Sequence, residues 1–186
     1  MRKHSLLLCL GLASGACGAA PSEPPQVIVH GTVTTASGEH PAWLTLMCTQ
    51  GSGGALSLML ALTSDNAPEF PFDAFEGPGA PASHQPSAQF RIGQQSFAPV
   101  AVSGWYSAEG HGVFVFGAST TSKRRNSVVR AAALLSKPGV TFTWIQNSNN
   151  IQTPPLVAHF QPDSTQSRAL MRMAAPCLPN AKQPQR

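Results

Sequence analysis

Residues Ala42 to Thr63 read AWLTLMCTQGSGGALSLMLALT, in which a leucine or cysteine recurs at every second position on both sides of a glycine-rich stretch. Every second residue from Leu56 to Leu62 is leucine, and Leu44, Leu46 and Cys48 repeat the spacing before the glycines. A two-residue period is typical of a strand with one buried face. The stretch therefore predicts a β-hairpin whose leucine face packs against the core of an antiparallel sheet.

The same period outside this hairpin predicts six more strands, at Val27–Thr34, Gln89–Ile92, Ser96–Ser103, Val113–Gly117, Val140–Trp144 and Leu156–Phe160. Pro99 places an edge or a bulge in the third of these, because proline cannot donate to a sheet ladder. That strand is expected to pair with Val113–Gly117 across the Ser107–Gly110 turn.

Two segments have the spacing of amphipathic helices. Lys123 to Ser136 places Val128, Ala131, Ala132 and Leu135 on one side, and Lys137-Pro138-Gly139 ends it. Asp163 and Gln166 form a capping box for a second helix that runs to about Ala174. The expected fold is α+β: a mostly antiparallel sheet or half-sandwich of about seven to eight strands with two helices and one disulfide.

Residues 1–17 have the layout of a bacterial export signal, with a basic start at Arg2-Lys3-His4, a short apolar run and small residues before Cys17. One interpretation makes Cys17 the lipidated first residue of a lipoprotein, followed by a disordered tether at residues 18–25. The usual leucine three places earlier is replaced by Ser14. The alternative is cleavage after Ala19, which would release a soluble protein. The expected location is the periplasm, with a membrane anchor at Cys17 in the lipoprotein interpretation. The alternative is a soluble, secreted protein.

One β-rich globular domain is expected over residues 26–178, with a flexible tail at 179–186. After export the domain retains Cys48 and Cys177, and two thiols in an oxidising compartment favour a disulfide. Two unpaired buried thiols are the alternative.

Charge is distributed unevenly along the chain. Residues 18–90 contain six acidic and no basic residues, whereas residues 91–186 contain ten basic and two acidic residues, giving −6 and +8. The favoured interpretation is that the acidic and basic halves lie side by side in the fold, so that their charges neutralise each other. The alternative is a surface with two oppositely charged ends, which would steer a charged partner.

Known catalytic and metal-binding motifs are absent from the sequence. Five histidines follow residue 17 without HExxH or other zinc spacing, and neither GxSxG nor CxxC occurs. No cofactor or metal is therefore expected. Lys123-Arg124-Arg125 has no interleaved aromatic residues, so nucleic acid is not an expected partner.

A proline-punctuated segment at Ser64–Ser87 contains the candidate binding residues, because long irregular loops in compact domains are often functional. Within it, Phe70, Phe72 and Phe75 interleave with Asp73 and Glu76. Outward rings would be interface anchors, and inward rings would plug one end of the sheet; the inward arrangement is favoured. The Glu109–Gly112 turn adds Glu109 and His111.

The general organisation is similar to that of small exported inhibitor and immunity proteins. We therefore expect an exported, non-enzymatic binding protein that docks another exported or envelope protein, such as a cell-wall hydrolase or a toxin. A structural or assembly lipoprotein of the envelope is the alternative. A hydrolase that uses Asp73, Glu76 and His111 is disfavoured.

Overall fold

The computed structural model describes residues 26–49, 55–120 and 126–178. The predicted export signal with Cys17, the tether at 18–25, the tail at 179–186 and the basic stretch at 123–125 lie outside the described residues. The predictions made for them stay predictions.

In the described part of the chain, ten strands form one sheet, and all their pairings are antiparallel. They are β1 (Gln26–Thr35), β2 (Gly38–Thr49), β3 (Ala55–Thr63), β4 (Pro86–Ile92), β5 (Gln95–Ser96), β6 (Val100–Ala101), β7 (Ser103–Tyr106), β8 (Val113–Thr120), β9 (Phe142–Gln146) and β10 (Leu156–Phe160). Together with two helices and one disulfide, they confirm the predicted α+β fold.

The sheet curls until the stretch from β6 to β7 connects its two edges. The strand order is β5-β4-β9-β10-β1-β2-β3-β8-β7, and β6 pairs with β4. Only Val102 separates β6 from β7, yet these strands pair with β4 and β8 at opposite ends of that order. The prediction of a single strand at Ser96–Ser103 was therefore wrong. Pro99 lies between β5 and β6, where the missing N–H interrupts the ladder.

The hairpin of β2 and β3 forms as its sequence predicts. Leu44 lies opposite Leu60 and Leu46 opposite Leu58, and all four side chains are fully buried. The concave face of the curl is thus the core face, to which β8 contributes Phe114 and Phe116.

Both helices lie where the apolar spacing predicts them. Helix α1 (Ser127–Leu135) is capped by the Asn126 side chain, which accepts from the Val129 N–H. Its predicted apolar face is buried, together with Val129. In α2 (Ser164–Ala174), Asp163 accepts from the N–H groups of Thr165 and Gln166, and the Asp163 N–H donates to the Gln166 side chain.

The alternating strand directions give the curled sheet two distinct ends. At one end, which we call the helix end, β1 begins, β2 and β8 stop, and both helices lie. The opposite end, called the loop end, consists of the connections at 36–37, 64–85, 107–112 and 147–155.

The predicted disulfide between Cys48 and Cys177 is present at the helix end. It joins β2 to the 3₁₀ turn after α2, across a sequence separation of 129 residues, with the Cα atoms 6.0 Å apart. Such a bond is typical of proteins in an oxidising compartment, extracellular or periplasmic.

Within the described ranges, neither helix is long and apolar enough to cross a membrane.

Candidate functional site

Phe70, Phe72 and Phe75 fill the core at the loop end. All three rings are buried, and they pack on the inward-facing rings of β8. The centroid separations are 5.9 Å for Phe70 and Phe116, 5.0 Å for Phe72 and Phe114, and 5.4 Å for Phe75 and Phe116. The favoured inward arrangement is therefore the one observed. These rings cannot be the exposed anchors that the outward alternative required.

Local backbone contacts hold this plug in place. Phe72–Phe75 form a 3₁₀ turn, and the chain then runs beside β7, where the Gly77 N–H donates to the Gly104 carbonyl (2.8 Å). Gly104 is needed because a Cβ there would collide with the Phe114 ring. The segment thus also covers the outer edge of β7, whose backbone groups would otherwise be unpaired.

With the rings inward, the carboxylates of Asp73 and Glu76 face the solvent. The Tyr106 hydroxyl donates to Asp73 Oδ1 over 3.1 Å. The pKa of Tyr106 is raised, first by desolvation and then by the hydrogen bond to Asp73. The charges of Asp73, Glu76 and Asp65 add to this rise. These three acids therefore surround one phenol.

The turn with Glu109 and His111 adjoins this cluster. The Ser64 N–H and hydroxyl both donate to the Gly112 carbonyl, at 2.7 and 2.9 Å, and so tie the turn to the start of the long segment. Both Glu109 and His111 are exposed. The structure therefore brings the charged residues of the two predicted regions to one surface, the loop end.

Asp73, Glu76 and His111, the groups that a hydrolase was expected to use, all have exposed side chains. Of these groups, Asp73 has a side-chain hydrogen bond among the described residues, and its partner is Tyr106 rather than His111 or Glu76. In the described part of the chain, no group of three His, Cys, Asp or Glu side chains could hold a metal ion.

Two aromatic side chains and one acid outside the predicted binding residues belong to this surface. The sequence raises the same inward-or-outward question for Trp105 and Tyr106 as for the three phenylalanines, with less force. Trp105 and Tyr106 are 41% and 40% exposed, and Trp105 lies against Gly117 on the outer face of the sheet. Asp65 was also missed. An aromatic pair just before a predicted turn was the available signal, since large rings at a strand end are only partly covered.

Apart from Asp163, the described acids and the described lysines and arginines lie at different ends of the fold. The loop end carries six acids and, in its described segments, no lysine or arginine: Glu39, Asp65, Glu69, Asp73, Glu76 and Glu109. The described lysines and arginines all lie at or near the helix end: Arg91, Arg130, Lys137, Arg168 and Arg172. Among the described residues the charges are separated as in the two-ended alternative. Five of the ten basic residues of the second half lie outside the described residues, so neutralisation of the two halves stays a prediction.

Comparisons with known proteins give no relative from which a role could be carried over. No protein-family model, curated protein or solved structure matches this chain significantly.

Proposed function

We propose that this chain is an exported, non-enzymatic binding protein of the cell envelope that docks a basic protein through its loop end. It is periplasmic and anchored through Cys17, and it works by covering a surface of its partner. A cell-wall hydrolase or an exported toxin is the partner class to test first, which would make the protein an inhibitor or an immunity protein.

The observation that supports this proposal is the acidic loop end with its two half-exposed aromatic rings. Six acids, with no lysine or arginine in the described segments of that end, create a negative potential that attracts a cationic surface and speeds association. Tyr106 and Trp105 add apolar area at low conformational cost, as aromatic residues do in interfaces. The buried phenylalanines keep this surface rigid, so that little ordering entropy is lost on docking.

A charge-neutralised variant tests the proposal. The change D65N/E76Q removes two exposed loop-end acids, and we expect it to weaken capture of a basic envelope protein about tenfold. Raising the salt concentration should weaken wild-type binding in the same direction. Quantitative affinity capture from native envelope extract, followed by binding titration of the captured protein, measures both effects.

The control variant M171K/A175K adds the same net charge at two exposed positions of the helix end. It should bind the partner as the wild type does. Equal weakening by both variants would show a net-charge effect and remove the loop end as the docking surface. Capture of outer-membrane assembly proteins with an affinity that D65N/E76Q leaves unchanged would favour an assembly lipoprotein instead.

A further inference from the structure

The helix end presents a basic surface that the proposed docking role does not use. Arg91, Arg130, Lys137, Arg168 and Arg172 are all exposed. The Arg130 guanidinium lies 5.3 Å from the Phe97 ring centroid, and Arg168 Nε donates to the Ser164 carbonyl (3.2 Å), so neither is paired with an acid by these contacts. The described acid at this end, Asp163, accepts from two N–H groups of α2.

Helix α2 turns a basic and apolar stripe toward the solvent. Arg168, Met171 and Arg172 lie within one turn on its exposed side, and Met171 is 53% exposed, the largest exposure of a methionine in the described chain. Clustered basic side chains attract an anionic lipid surface, and Met171 adds exposed apolar area between the two arginines.

The start of the domain lies at this same end. Gln26 opens β1 opposite Met47, close to the disulfide and to α2, which packs on both β1 and β2. Residues 18–25 can span at most about 26–29 Å when extended. An anchor at Cys17 would therefore hold the helix end, rather than the loop end, close to the bilayer.

We infer that the helix end docks onto an anionic phospholipid surface, with the acidic loop end directed away from it. The coincidence of the basic stripe with the point where the chain enters the domain carries this assignment. The negative loop end would be repelled by the same lipid, which fixes the orientation from both sides. The inference is independent of which partner, if any, the loop end binds.

Vesicle co-sedimentation of residues 18–186 tests this orientation. This form lacks both the basic and apolar export signal and the candidate acylation site, and the difference between anionic phosphatidylglycerol vesicles and neutral phosphatidylcholine vesicles isolates the electrostatic contribution. The chain should bind the anionic vesicles more tightly at low salt. R168Q/R172Q in the same background should lower that partition by up to about 25-fold, because each basic side chain near the surface favours binding about fivefold.

A matched variant separates position from net charge. N149D/Q152E lowers the net charge by the same two units at exposed positions of the loop end, and it should leave vesicle binding nearly unchanged. Equal affinity for both vesicle types, or equal loss with both variants, overturns the inference. Binding of a soluble polyanion such as heparin through Arg168 and Arg172, without anionic vesicle binding, assigns the surface to a polymer and also overturns it.

Discussion

Tyr106 links the residue scale to the electrostatics of the loop end. It is the one tyrosine of the chain, and its hydroxyl donates to Asp73 beside the carboxylates of Glu76 and Asp65. Ionising this phenol would place a fourth negative charge among three existing ones. The residue therefore reports directly on the charge cluster that the proposed docking surface contains.

We predict that Tyr106 titrates above its ordinary pKa of 10.0, because partial burial, the Asp73 hydrogen bond and the neighbouring acids all favour the neutral phenol. D73N should lower that pKa without returning it fully, since desolvation, the largest cause, remains. Tyrosinate absorbance measured against pH follows this single group without interference from other tyrosines.

The sign of the stability effect follows from the same shift. A pKa that folding raises adds stability that is fully present below the unfolded value and is lost as pH rises through the folded value. The free energy of unfolding should therefore fall above about pH 10, and less so in D73N. A phenol that titrates identically in both proteins would contradict the assigned contact.

Gly31 shows a residue-scale constraint that the sequence did not reveal. In the alternation of β1 it shares the apolar face with the valines. From the sequence it is simply a residue with low strand propensity. Opposite it lies Phe160, and an added Cβ would collide with the His159 carbonyl oxygen and with the Phe160 ring. The need for glycine arises from a partner that lies more than a hundred residues later, which no local pattern encodes.

At the scale of elements, the segment with Phe70, Phe72 and Phe75 fills the core at the loop end. Phe75 is fully buried, and its ring contacts both Phe70 and Phe116. We predict that F75A lowers the free energy of unfolding by about 3–5 kcal/mol, through lost burial and the cavity left behind. Equilibrium urea denaturation measures the change.

The neighbouring E76A is the matched control for that variant. It removes an exposed side chain and keeps the backbone that runs beside β7, so a change within about 0.5 kcal/mol is expected. If F75A fails to fold, F75L should give a measurable, intermediate loss. A Phe75 variant no less stable than E76A would show that the plug contributes nothing to the core.

Element prediction succeeded where the pattern was local. The leucine alternation of β2 and β3 and the capping box of α2 each specify one conformation with nearby residues alone. The prediction for the stretch around Pro99 was wrong, because residues 95–106 divide among strands that pair with β4 and with β8. Which edge a short strand joins depends on how far the sheet curls, which is a property of the whole sheet.

At the scale of the whole molecule, the disulfide constrains the longest loop of the fold. It closes a sequence separation of 129 residues. Reduction should therefore lower the free energy of unfolding by about 4–5 kcal/mol on the chain-entropy model, while the leucine and phenylalanine core keeps the domain folded. Urea denaturation with and without reductant tests this. Native protein whose two thiols alkylate freely would refute the bond itself.

The sequence by itself determined the strand alternation, the two helices and the pairing of the two cysteines, because periodicity, capping and cysteine parity depend on residue type and spacing. The tertiary structure alone decided that the phenylalanines point inward and that six of the described acids lie at the end opposite the described lysines and arginines. Linear charge blocks can fold side by side or apart. The curled antiparallel sheet separates them, because its turns gather at one end and its helices at the other.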